Sequence, residues 1–120
     1  MDEYEIKYYK NSRTGRTPVL DYMLKLDDKN QAKIKKYLIF LKKSNGYLEE
    51  PYSKHIVGKI RELRVGFGHN RHRIFYFGFI NKKIIILSAF LKNTEKTPLK
   101  EIKKALSFYY DTLNNPHYYE

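Results

Sequence analysis

The chain has 120 residues, 24 Lys+Arg against 13 Asp+Glu for a formal net charge of +11, and no cysteine. That length supports a single domain, expected over residues 1–114 with a short tail at 115–120, and a 42% hydrophobic content with 12 Tyr and 7 Phe separates it from charged disordered chains. Disulfides and thiolate metal sites are excluded, no apolar run approaches a bilayer span and the start, Met1 to Glu5, lacks signal-peptide features, so a cytoplasmic protein without metal, cofactor or membrane partner is expected.

Tyr4 to Lys10 alternates Tyr4, Ile6 and Tyr8 against Glu5, Lys7 and Tyr9, which predicts a half-buried strand. Asn11 to Gly15 reads as a turn. Thr17-Pro18 then offers an N-cap and the residue best tolerated at the first helical position, opening a short helix with Leu20, Met23 and Leu24 as its apolar stripe. Asp27-Asp28 ends it and caps a second helix from about Lys29 to Ser44, where Ile34, Tyr37, Leu38 and Leu41 recur at helical spacing and Gly46 is the stop. Glu49 to Val57, with Pro51, has no period and reads as a loop carrying Lys54 and His55.

Three strands follow as an antiparallel meander, Ile60 to Val65, His69 to Ile80 and Lys83 to Leu91, separated by Gly66-Phe67-Gly68 and an Asn81-Lys82 turn. Apolar residues at both parities in the last two predict central strands, covered by helices on one side and in part by aromatics on the other. Thr97-Pro98 repeats the cap signal, and Leu99, Ile102, Leu106, Tyr109 and Leu113 mark a helix to about Asn114, with Asn115 to Glu120 a tail ordered only by a partner. The order β-α-α-β-β-β-α predicts an α+β fold, an antiparallel sheet packed against helices on one face.

Four of the six arginines, Arg61, Arg64, Arg71 and Arg73, fall within 13 residues, whereas most lysines sit at helical spacing. A four-residue turn from Gly66 to His69 would pair Val65 with Asn70, set Arg64 opposite Arg71 and Glu62 opposite Arg73 on one side, and turn Leu63, His72 and Ile74 to the other. Like charges opposed across strands are unfavourable, and a polyanion would relieve them. The plainer alternative is a Glu62–Arg73 ion pair with Arg64 and Arg71 solvated. Lys92 and Lys96 leave the last strand toward a helix N-terminus, which also favours anions.

Lys54-His55-Ile56 and Gly58, then Ile60-Arg61-Glu62-Leu63-Arg64, Arg73-Ile74-Phe75-Tyr76-Phe77, Leu87, Phe90, Lys92, Thr94, Lys96-Thr97-Pro98, Glu101-Ile102 and Ala105 occur in an order and spacing that resemble the RelE/ParE superfamily of type II toxins, in its phage-related HigB-like branch. The resemblance runs from Pro51 to Ala105. Asn93 stands where that branch often has a second lysine, and Ser88 where histidine is common. It implies a RelE-like fold and a bacterial toxin that cleaves mRNA, usually in the ribosomal A site, and is silenced by a cognate antitoxin that often bears a helix-turn-helix domain.

Without a metal, RNA cleavage uses the ribose 2′-OH as nucleophile, and protein groups must align it, accept its proton and stabilise the phosphorane. Arg64 and Arg73 are the expected phosphate clamps, Lys92 and Lys96 the proton-transfer candidates, and Lys54, His55, Arg61, His69 and Arg71 the RNA contacts. Phe75 or Tyr76 is the candidate for base stacking. His72 is expected to face the helices as a structural residue. Two other readings share the fold and charge: a ParE-like toxin that poisons gyrase and a non-enzymatic nucleic-acid-binding adaptor.

Overall fold

The N-terminal alternation forms β1 (Glu5–Tyr8). It is followed by α1 (Pro18–Leu24) and α2 (Asp28–Lys43), whose N-cap Asp27 accepts the Asn30 amide at 2.8 Å. Gly46, at φ 82, returns its amide to the Leu41 carbonyl at 2.9 Å and stops α2. Then come β2 (Ser53–Val57), β3 (Ile60–Phe67), β4 (Asn70–Phe79), β5 (Lys83–Leu91) and α3 (Leu99–Asn114). The computed structural model describes residues 3–120; the reading of Met1 and Asp2 lies outside the described residues.

The five strands form one sheet in the order β1-β5-β4-β3-β2, with β1 parallel to β5 and every other pair antiparallel. The α+β class stands, with three differences in detail, the first being that β1 runs parallel to β5 in a sheet expected to be antiparallel. The segment expected to be a loop before β3 is the edge strand β2, where Lys54 pairs with Glu62 and His55 with Arg61; an edge strand with one exposed side carries too little alternation to be read from residue types. Helices also cover both faces. Val19, Met23, Ile34, Leu38 and Leu41 of α1 and α2 pack with Leu63, Val65, Ile74, Tyr76, Ile84 and Ile86. On the other face Ala105 of α3 packs with Ile60, Phe75, Phe77, Ile85, Leu87 and Phe90.

The β3–β4 turn is two residues, Gly68 and His69, with Phe67 paired to Asn70. The expected four-residue turn is therefore shortened by two, an even slip that changes partners and preserves facing. Arg64 lies opposite Arg73, and Arg71 opposite Gly66. Along β4–β5 the register moves by one between Phe75/Ser88 and Tyr76/Ile86, so Leu87 is an extra residue in β5, a β-bulge. Before it Ile85 faces α3; after it Phe90 does, and Ala89 packs on the α1/α2 side.

His72 is fully buried and joins three elements. Asn30 donates its side-chain amide to Asp27 Oδ1 at 2.9 Å, which turns Asn30 Oδ1 toward His72 Nε2 at 2.7 Å. Nε2 must therefore donate, leaving Nδ1 to accept the Tyr22 hydroxyl at 2.7 Å. Burial pushes the Tyr22 pKa up to about 12, so that hydroxyl keeps its proton. Burial also holds the His72 pKa below its ordinary value, opposed by the Asp27 carboxylate and assisted by Arg73. Below about pH 6.5 the unfolded chain takes up a proton that the native ring refuses. Stability is thus expected to be full above that pH and to decline toward pH 5.5, as read by urea midpoints, with His72→Gln flattening the profile. The lowered carboxylates Asp27 and Asp111 act only in a more acidic window.

The C-terminal tail is part of the fold. Pro116–Tyr119 makes a 3-10 turn, Tyr119 is buried, and its hydroxyl accepts the Lys10 amide at 3.0 Å. This corrects the expectation of a partner-ordered tail: an aromatic just past the helix end folds back onto the α3-side core. Nearby, Asp111 of α3 accepts the Tyr9 hydroxyl at 2.6 Å and the Ser12 hydroxyl at 2.6 Å, fastening α3 to the end of β1. Tyr119→Ala is expected to cost about 3 kcal/mol, the usual scale for a buried aromatic, measured by urea unfolding.

Candidate nucleic-acid interface

At the N-terminal end of α3 the sheet passes from buried under the helix to exposed, and there the cationic side chains gather in three rows set by strand register. The first row holds Lys54, Glu62, Phe75 and Ser88; the second, Arg64, Arg73 and Phe90; the third, Gly66 and Arg71, with the Lys92 amide bonded to the Arg71 carbonyl at 2.8 Å. An added side chain at Gly66 would meet no heavy atom within 4 Å, so the third row is open beside Arg71.

Glu62 organises the rows. It is 0% exposed, and its Oε1 lies 3.4 Å from Arg64 Nε and 3.8 Å from Arg73 Nε, while Oε2 accepts the Thr97 hydroxyl at 2.9 Å. The paired arginines are therefore not simply opposed: one carboxylate beside both offsets their repulsion, with Arg73 buried and Arg64 partly exposed. Arg73 is 9% exposed and donates Nη1 to the His72 carbonyl at 3.1 Å, while its buried Nε has no hydrogen-bond partner among the described residues. Burial works against the charge of Arg73, Glu62 works for it, and Arg64 and Arg71 work against it again.

Lys92 belongs to the same field. Burial lowers its pKa, Arg73 lowers it further, Glu62 raises it, and Arg64 and Arg71 again lower it. The bulge at Leu87 is what turns Lys92 to this face. Thr97 draws the loop before α3 against β3, so the N-terminal turn of α3 stands beside the first row. Glu101 in that turn meets part of the helix field and pairs with Lys104 at 3.5 Å.

The structure sorts the expected site residues. Arg64, Arg71, Arg73 and Lys92 share the field, Lys54 borders it from β2, and His69 is exposed at the hairpin tip. Lys96 is exposed on the loop, where its carbonyl accepts the Thr94 hydroxyl at 2.7 Å. Three assignments are corrected. Arg61 faces the α1/α2 side, lies 4.9 Å from the Tyr47 ring centre and donates to Ser53 Oγ at 3.1 Å. His55, opposite Arg61, is bound to the Gly58 carbonyl at 2.8 Å. Phe75 is fully buried with its ring centre 5.5 Å from that of Phe90, and Tyr76 is buried with its hydroxyl 2.6 Å from Ser53 Oγ, so neither can stack on a base.

Two residues of the site carried other readings in the sequence. Thr97 reads as a helix cap, but Pro98 holds the N-cap position and the hydroxyl is spent on Glu62. Glu62 reads as one half of an ordinary surface pair; only its complete burial reveals that it serves both arginines.

Among the described residues no three His, Asp or Glu side chains come together as a metal-holding group, and no helix is long and apolar enough to cross a membrane. The fold and this surface define a small α+β protein with a partly desolvated cationic sheet face. Residues 21–109 match the family described as phage derived protein Gp49-like (DUF891), and the chain belongs to that family, one of RelE/toxin-like proteins. A search of curated proteins found no match.

Proposed function

We propose that this protein is the toxin of a type II toxin–antitoxin pair, of the HigB-like branch, and that it is a cytoplasmic, metal-independent endoribonuclease cleaving mRNA on the ribosome. The observation that carries the reading is the convergence of Arg64, Arg71, Arg73 and Lys92 over the buried Glu62. Such a surface is costly unless an anion completes it, and a pair of guanidinium groups is suited to phosphate oxygens.

In this mechanism the guanidinium groups of Arg64 and Arg73 grip the non-bridging oxygens of the scissile phosphate, aligning the 2′-oxygen for in-line attack and stabilising the phosphorane dianion. Arg71, exposed in the third row, positions the flanking backbone. Lys92, whose neighbours and burial weaken its hold on a proton, mediates proton transfer at the reacting oxygens. Lys96, on the loop leading to α3, is a second donor for the leaving 5′-oxygen. Glu62 touches no substrate; it positions the arginines. The products are a 2′,3′-cyclic phosphate and a free 5′-hydroxyl. A cognate antitoxin covering this face would silence the enzyme by neutralising it.

Induction in bacteria with pulse labelling and mapping of mRNA ends tests the reading. Early loss of translation with cuts at codon positions supports it, DNA breaks with an SOS response favour the gyrase-poisoning alternative, and no growth effect favours the adaptor. Incubation of purified protein with mRNA, with and without ribosomes, decides whether the ribosome is required.

A further inference from the structure

We infer that the open edge of β1 is a docking site for an extended acidic peptide segment, which adds to the sheet as a sixth strand. This rests on the sheet edge and not on the nuclease reading. β1 ends the sheet, and the Tyr9 amide bonds the Ile86 carbonyl at 2.9 Å. Backbone alternation therefore turns residues 5, 7 and 9 toward β5 and directs the amides and carbonyls of Ile6 and Tyr8 outward. The opposite edge is blunted: β2 carries a register break between His55 and Val57. β1 has none.

A groove of about 470 Å³ runs beside β1, floored by Ile6, Tyr8, Leu38 and Ile39 and rimmed by Lys35 and Lys42. Ile39 is 51% exposed, an apolar surface that the described residues leave open. The rim is cationic at Lys35 and Lys42, on a helix whose single acid is Asp28. Glu5 also lines the groove, but its carboxylate is taken by Lys83 at 3.0 Å and Lys7 at 3.6 Å.

The spacing specifies the occupant. Lys35 and Lys42 are seven residues apart, about 10 Å along a helix. Groove-facing side chains at positions p and p+4 of a strand are about 13 Å apart, within reach of flexible lysines. The groove thus fits an acidic residue, an apolar one and a second acidic one at alternate positions of an extended chain, with the apolar side chain on Ile39. Free backbone groups beside an apolar floor select a peptide over RNA, which has no strand edge to offer.

The probe is the capped heptapeptide Thr-Glu-Thr-Val-Thr-Glu-Thr, titrated into the full-length protein while amide hydrogen exchange is followed by NMR. Exchange at Ile6 and Tyr8 is expected to slow at least tenfold at saturation. Lys42→Glu is expected to weaken binding at least fivefold, and the same peptide with Lys for Glu should not protect. Unchanged exchange at Ile6 and Tyr8, or protection confined to the strands of Arg64 and Arg73, overturns the proposal. So does protection that appears on raising protein concentration alone, which would make the occupant a second copy, or protection given by hexauridylate and not by the peptide.

Discussion

Arg64→Gln is expected to cut mRNA cleavage on translating ribosomes by about 10²- to 10³-fold, the scale on which one preorganised donor to a developing oxyanion acts. The same change should leave the unfolding free energy from urea titration within about 1 kcal/mol of wild type. The side chain is 28% exposed, and its removal leaves Glu62 with both Arg73 and Thr97. Arg73→Gln should be equally inactive but measurably less stable, because Arg73 is buried against Glu62 and bonded to the His72 carbonyl. The two sites, alike in sequence, thus separate in unfolding while agreeing in activity. Primer extension of mRNA ends and urea titration measure the two quantities; normal cutting by Arg64→Gln would remove the arginine pair from the mechanism.

The second large effect lies in the carboxylate beneath them. Glu62→Ala is expected to cost about 3–5 kcal/mol, because it strands a buried guanidinium without its counter-charge. It also frees the Thr97 hydroxyl and with it the loop before α3. Glu62→Gln keeps the shape and an acceptor for Thr97 but loses the charge. Its midpoint should rise on adding tripolyphosphate by more than that of wild type, since an external anion then supplies what the side chain lacks. A loss below 1 kcal/mol for Glu62→Ala would mean that solvent, not the carboxylate, holds Arg64 and Arg73 together.

Much of this surface was legible in the sequence because strand facing depends only on parity. The turn between β3 and β4 is two residues shorter than expected, yet Arg64, Arg71, Arg73 and Glu62 keep the same side, since an even slip changes partners and not faces. His72 followed from the same parity. What was not legible depends on neighbours distant along the chain. Phe75 has the right facing for a base-stacking residue, but α3 covers the sheet at that row. His55 went to the wrong side because β2 was read as a loop, so its strand pairing was invisible, whereas Arg61 shares the parity of Leu63 and its facing was legible from β3 alone. Thr97 before Pro98 carries the same local signal as Thr17 before Pro18, and only the fold brings Glu62 beneath the first of them.

The extra residue at Leu87 has a consequence for how members of such a family are compared. It acts as a phase shift: everything in β5 after it is displaced by half a pleat, and Lys92 reaches the arginines only on that displaced phase. A chain identical at positions 64, 71, 73 and 92 but one residue shorter between 86 and 89 would send that ammonium group to the α1/α2 side. Counting matched residues would score the two as equivalent, although one would have lost its ammonium group from beside the arginines.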